Sequence, residues 1–313
     1  MIRAAERPTG VAPRVSMGMP VRNGEAYLEQ ALQSLVKQTF PDFELLISDN
    51  ASTDRTQSIC LDYASMDRRI RYHRNPVNVG YCRNQNSVIE ASTGEFFLLT
   101  HHDDVRGPEY VSRTLEVLDA DPSTVVCYTT TRDIDEHGME LPREDPPLRW
   151  GSAELRARFR DVIRMDHICE PDFGLTRLHV LRQTRLHGDY ADSDRVLLAE
   201  LALRGPFHQI PECLFFRRAH AQQSTAIAPD RQSRTVWFNP AHAGKLLFPH
   251  FRELREYLAA IHRAPISALD RAWCDAALLR WVIDNRRRLI GDLEFAARQL
   301  LRPLYRAVLR RTA

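Results

Sequence analysis

The chain has 313 residues, 43% of them hydrophobic and 27% charged, the balance of a soluble protein with one large domain or one domain plus an extension. A net charge of +2 gives no reason to expect a nucleic-acid partner. No run of about 18 apolar residues occurs, so no segment is expected to span a bilayer.

Residues 1–13 read as a flexible arm with no apolar core, and so no secretory signal. "RVSMGMPV" reads as a buried strand. In "EAYLEQALQSLVKQ", Tyr27, Leu28, Ala31, Leu32, Leu35 and Val36 recur at helical spacing. "FELLISD" is the next strand, followed by a helix to about Met66; "RIRYHRN" is a strand, "YCRNQNSVIEAS" a helix and "GEFFLLTH" a strand. A helix over 108–119 precedes the strand "TVVCYTT". This alternation predicts an α/β fold with a mostly parallel sheet and helices on both faces. "MELPREDPPLRW" is a loop, and short elements follow in "FGLTRLHVLRQ", "SDRVLLAELALRG" and "ECLFFRR". After about Ala226 the pattern is helical only, with Ser267 and Asp270 at capping-box spacing. The six cysteines (Cys60, Cys82, Cys127, Cys169, Cys213, Cys274) form no Cys-x-x-Cys pair and read as reduced thiols of a cytoplasmic protein.

In open parallel sheets, ligands bind outside the carboxyl ends of the strands. That rule puts the loops after Pro20 and Asp49 and the cluster in "LLTHHDDV" on one rim. His101 and Asp103 are two apart, so on extended chain they point the same way and suit one divalent ion. The plain alternative is a solvated strand end. No glycine-rich phosphate loop is present, so a diphosphate beside these carboxylates needs a cation between them.

"VSMGMPVRNGEAYLEQALQSLVKQTFPDFELLISDNASTD" followed by "NVGYCRNQNSVIEASTGEFFLLTHHDD" resembles the family 2 glycosyltransferases, inverting enzymes of the GT-A fold, over about residues 14–224. The resemblance implies that Pro20, Arg22 and Glu25 line the nucleotide pocket and that Asp49 bonds the base. Asn50 and Asp54 share that turn, Asp54 alternatively as a structural cap. Asn78, Gly80 and Asn84 match a stretch near nucleotide and sugar, with Gly80 permitting close backbone approach. The metal motif, Asp-x-Asp in most relatives, is here His101 and Asp103, one negative charge poorer, which favours Mn²⁺ over Mg²⁺ if His101 ligates. His102 and Asp104 are assigned to substrate binding.

The catalytic base implied is Asp194, with Ser193 in place of the usual acidic neighbour and Asp192 as the fallback; all three are also ordinary helix-starting residues. Arg217, Arg218 and His220 match a basic stretch that closes over the diphosphate, with His220 alternatively a third metal ligand. The Q-x-x-R-W motif of processive synthases is absent. His73, His137, His167, His179, His187 and His208 are read as surface or core residues, and Trp150 as a packing residue rather than a stacking platform.

Residues 286–313 carry eight arginines and two acids, with Leu289, Leu293, Ala297, Leu300, Leu301, Leu304 and Val308 at helical spacing and a bend expected at Pro303. This basic amphipathic helix suits either an anionic membrane surface, near a lipid-linked acceptor, or packing on the domain with arginines outward; the second reading is preferred. The organisation expected is an arm (1–13), a GT-A domain (14–225, with nucleotide-binding half 14–105 and acceptor half 106–225) and a helical extension (226–313). The activity expected is non-processive, inverting transfer of a hexosyl-type sugar from a nucleotide-diphosphate donor to a hydroxyl of a glycolipid, an envelope polysaccharide precursor or a natural product. The location expected is cytoplasmic, peripheral to the inner face of the membrane if the basic helix binds lipid. The rival is a catalytically impaired binding or scaffold protein, favoured by His101 and Ser193.

Overall fold

β1 (Val15–Val21) explains the core in miniature. Val15, Met17 and Met19 point to one face of the sheet, into a cluster with Leu28, Leu32, Tyr110 and Leu115. Gly18 points to the other face, where a Cβ would come within 2.7 Å of Phe97 and Val88. That side of the strand is therefore small so that a helix can lie close against it. The computed structural model describes residues 12–143, 150–164 and 169–309, with no side chains described at Thr225 or over 302–309. The arm over residues 1–11, His167 and the middle of the proline-rich loop fall outside the described residues.

The first half alternates as the pattern requires. β1 is followed by α1 (Leu28–Val36), β2 (Phe43–Asp49), α2 (Thr56–Met66), β3 (Ile70–Arg74), α3 (Tyr81–Ala91) and β4 (Phe96–Leu99). Then come β5 (Val105–Arg106), α4 (Tyr110–Ala120), β6 (Val126–Ile134), α5 (Leu155–Arg164), β7 (Leu175–Arg177), α6 (Leu178–Leu181), α7 (Ser193–Ala202) and β8 (Phe207–Arg218). Among the described residues eight strands form one sheet in the order β3-β2-β1-β4-β7-β6-β8-β5. β1, β2, β3 and β4 are mutually parallel, as are β6 and β8. β7 runs against both β4 and β6, and the two-residue β5 runs against β8. This is the GT-A architecture.

The remaining helices are α8 (Ser224–Ile227), α9 (Arg231–Phe238), α10 (Pro249–Arg263), α11 (Ala268–Asp284) and α12 (Arg286–Leu309). They share the core of the sheet: Tyr257, Ile261, Cys274 and Trp281 lie in the same buried cluster as Val88, Phe97, Leu197 and Leu201. Each fully buried side chain of this size contributes about 1.5–3 kcal/mol. α11 has the expected cap: Ser267 Oγ accepts the Asp270 N–H at 3.1 Å. Trp150 is 1% exposed and packs edge-on against Phe207, a core residue as expected. None of the six cysteines is disulfide-bonded, and five are buried. α12 continues through Pro303, and no helix among the described residues is long and apolar enough to cross a membrane.

Candidate active site

The loops leaving β1, β2 and β3 are tied to one another by side chains. Asp49, fully buried, accepts the Ser52 N–H (2.8 Å) and the Tyr72 hydroxyl (2.7 Å), with Arg74 at 3.3 Å. Asn50 donates to Asn78 Oδ1 (2.8 Å) and accepts from the Val79 N–H (2.8 Å), which fixes the Asn78–Gly80 turn. Asn84 is buried, accepting from Ser48 and Asn75 and donating to the Ser48 carbonyl. Glu25 accepts the Arg55 N–H and Asp54 accepts the Thr56 N–H, so Asp54 is a structural cap. Pro20 is buried at the end of β1, Arg22 is exposed beyond it, and His102 packs beside Gly24.

At the tip of β4 one ligand atom each from His101, Asp103 and Asp104 lies within 4.8 Å of the others. Gln222 N–H reaches His220 Nδ1 at 3.3 Å, so the proton of that ring sits on Nε2. His220 Nε2–H then donates to Asp103 Oδ2 at 2.9 Å. In this arrangement His220 orients Asp103 and has no free nitrogen for an ion. Asp103 Oδ1 is buried with no hydrogen-bond partner. Burial and the adjacent Asp103 charge raise Asp104 to about 8. Burial opposes ionisation of Asp103 too, but His102 and the His220 bond more than offset it and hold Asp103 below the usual carboxylate range. Burial lowers His101 to about 4, so its imidazole is neutral. Its Nε2 shares a hydrogen bond with the Tyr81 hydroxyl (3.1 Å), and its Nδ1 lies 4.0 Å from Asp104. An orphaned carboxylate oxygen, a second carboxyl kept protonated for want of positive charge and a neutral imidazole form a donor set that fits a divalent cation.

The two arginines ending β8 point opposite ways, as successive strand residues must. Arg217 forms a two-pronged pair with Asp133 (2.8 and 3.0 Å). Arg218, 1% exposed, is turned inward onto the carbonyls of Asp103 and Asp135, each at 2.9 Å, and onto Gln30 (2.8 Å). Its backbone N–H donates to Asp104 Oδ1 at 2.9 Å. Arg218 thus holds the 103–104 backbone from the buried side.

Asp194 opens α7, where its Oδ1 accepts the Arg195 N–H at 2.9 Å and the Cys169 thiol bonds to it. Burial, then the charges of Asp192 and Asp172, raise its proton affinity. Asp192, in left-handed backbone (φ 63°), is paired with Arg231 and with Arg234 (3.5 Å), which ties α7 to α9.

The family model of glycosyl transferase family 2 matches residues 16–182. The chain belongs to this family. An uncharacterized protein of Mycobacterium tuberculosis is 30% identical over 207 residues, 64% of this chain and 57% of its own, so the chain spans little more than half of that relative. An uncharacterized glycosyltransferase of Haemophilus influenzae is 22% identical over 72% of this chain and 71% of its own. S. aureus TarS 1-349 in complex with UDP-GlcNAc shares the fold at a TM-score of 0.67 and 16% identity, covering 91% of this chain and 81% of that one. The Pyrobaculum calidifontis mannosyltransferase PcManGT, in complex with GDP-Man and Mn²⁺, shares it at 0.54 and 18%, covering 97% of this chain and 84% of that one.

This family 2 chain brings residues to the rim that its sequence did not flag. Tyr81 bonds His101 and stacks on Phe238 (centroids 5.2 Å, 16°) beside Trp237. Its position directly after Gly80 was the available signal. His187, read as a dispersed histidine, is buried, with Nε2 3.5 Å from Asp172. Burial raises Asp172 to about 7 and lowers His187 to about 4. Only the fold joins the two, so no sequence spacing signals the pair.

Proposed function

We propose that this chain transfers one hexosyl-type sugar from a nucleotide-diphosphate donor to an acceptor hydroxyl, with inversion and without processivity. The observation that carries the reading is the unpartnered, buried Asp103 Oδ1 within the His101–Asp103–Asp104 cluster, at the ligand-binding end of a family 2 sheet. Asp103, Asp104 and His101 would hold a divalent ion, Mn²⁺ or Mg²⁺, and His220 and Arg218 would position them. When bound, such an ion supplies charge stabilisation to a departing diphosphate. The Asp49 and Asn78–Gly80 loops form the nucleotide wall, and Arg22 is an exposed cation of the β1 loop. Asp194, with its affinity for protons raised, takes the proton of the acceptor hydroxyl. Asp192 is already neutralised by Arg231 and Arg234, which leaves Asp194 the better base. TarS with UDP-GlcNAc and PcManGT with GDP-Man and Mn²⁺ support the donor and metal classes. The acceptor proposed is a hydroxyl of a glycolipid, an envelope polysaccharide precursor or a natural product.

The test is a screen of UDP, GDP and dTDP sugars with Mn²⁺, read by product mass and anomeric configuration. Turnover with an inverted linkage is expected for one donor class. Donor binding with neither transfer nor hydrolysis would overturn the proposal in favour of a scaffold, the reading that His101 and Ser193 suggest.

A further inference from the structure

α12 presents three stripes to its surroundings. Leu289, Asp292 and Ala296 are buried, and Asp292 takes the His250 backbone N–H and ring nitrogen, each at 2.8 Å. This face packs on the domain, as the preferred sequence reading expected. A second apolar stripe stays in water: Ile290, Leu293, Leu300 and Leu301 are 52%, 51%, 62% and 58% exposed. Leu279 and Ile283 at the end of α11 are exposed too, at 67% and 53%. Asn285, at φ −99° and ψ 11°, joins the two helices, its N–H on the Trp281 carbonyl (2.9 Å) and its carbonyl accepting the Leu289 N–H (3.1 Å). The third stripe is basic: at about 100° per residue, exposed Arg287 and Arg298 lie about 60–80° around the helix from Ile290. Over residues 286–313 eight arginines face only two acids. Both acids are spent, Asp292 on His250 and Glu294 on Arg298 at 3.3 Å.

We propose that this surface docks on an anionic membrane, with the exposed leucines at the headgroup–acyl boundary and the arginines against lipid phosphates. An apolar line beside Arg287, on a segment whose arginines outnumber its acids eight to two, needs an occupant that is both apolar and negative. A second copy packed antiparallel fits poorly, because that two-fold would bring the arginine stripes together. The docking does not depend on the sugar-transfer reading.

The test is sedimentation of the full chain with phosphatidylcholine vesicles, with and without phosphatidylglycerol, at low and high salt. Binding is expected only to the anionic vesicles and is expected to weaken with salt. Leu293→Ser with Leu300→Ser should weaken it at least about tenfold, and Arg287→Gln about fivefold. Circular dichroism should be unchanged in both variants, and the arginine change stands alone if the leucine pair misfolds. Wild-type protein left in the supernatant at low salt would overturn the proposal. So would binding indifferent to these substitutions, or a dimer in light scattering that the leucine changes dissociate.

Discussion

Two buried carboxylates at opposite ends of the same sheet have opposite fates. Glu44, at the amino end, is 2% exposed and complete: Ser16 Oγ (2.7 Å), Thr93 N–H (2.9 Å) and Thr93 Oγ1 (2.7 Å) donate to one oxygen, and Arg71 (2.8 Å) to the other. Burial pushes its carboxyl up, but these donors more than offset that and hold it below its ordinary range. Asp103, at the carboxyl end, has His220 on one oxygen and nothing on the other. The backbone follows the same division. Asn23, Ala51 and Gly80, all with positive φ, lie in the loops that follow β1, β2 and β3. Among the described residues, the turns leading into β2, β3 and β4 have no positive φ. The amino end closes its own bonds, and the carboxyl end keeps unmet valences and strained turns for a ligand.

The strongest test of that division removes the completed group. Glu44→Ala leaves the Ser16 hydroxyl and both Thr93 donors without their acceptor and takes the carboxylate from beside the half-buried Arg71, so urea unfolding should show a loss of about 3–5 kcal/mol. Transfer per folded molecule should be unchanged. A loss below about 1 kcal/mol would mean the network is incidental to the fold.

Asp103→Asn should do the reverse. Its amide oxygen still accepts from His220, and the charge that raises Asp104 is removed, so the loss of unfolding free energy should stay well below that of Glu44→Ala. Product formation in Mn²⁺ should fall on the order of 10³-fold, about 4 kcal/mol in the barrier. A destabilisation as large as that of Glu44→Ala would erase the contrast between the two ends.

How much of this was legible follows from the range of the interactions. The apolar runs in "VSMGMPV" and "FELLISD", and the helical spacing of Leu28, Ala31, Leu32 and Leu35, are local, and each segment reports its own burial. The cluster at 101–104 was legible for the same reason. β5 escaped because two residues carry no period, and β7 because three residues do not reveal direction. Arg217 and Arg218 read as an equivalent pair, yet strand alternation sends one to Asp133 and the other into the core. The Tyr81–Trp237–Phe238 stack and the Asp172–His187 pair join distant segments, which no single-chain pattern encodes.

Asp172 sharpens the comparison through pH. Its carboxyl is raised from about 4 in the unfolded chain to about 7. The folded state therefore binds the extra proton in that window, and its contribution to stability is lost as pH climbs through it. His187, lowered to about 4, acts in the opposite sense below about pH 6.5, where the unfolded state binds the extra proton. The difference between variant and wild type isolates the carboxyl. Asp172→Asn should match wild type near pH 4 and gain on it progressively, by about 2–4 kcal/mol at pH 8. A difference that stays constant with pH in urea titrations would show that burial leaves the Asp172 carboxyl at its unfolded-chain value.

The smallest expected effect tests whether strain at the carboxyl end serves the ligand wall or merely connects elements. Gly80 sits at φ 89° as the residue before α3, and its N–H donates to Asn78 Oδ1 at 2.9 Å. A Cβ there would come 2.9 Å from the Phe238 carbonyl oxygen, which belongs to α9 rather than to a movable side-chain tip. Gly80→Ala thus meets both a disfavoured backbone region and a neighbouring helix, and should cost about 1–2 kcal/mol. The Tyr81–Phe238 stack must yield first, and Tyr81 bonds His101. Donor KM should then rise several-fold while kcat moves little, because Asp194 and Asp103 are left where they are. Equal falls in kcat and kcat/KM would show instead that the turn acts on the reacting groups themselves.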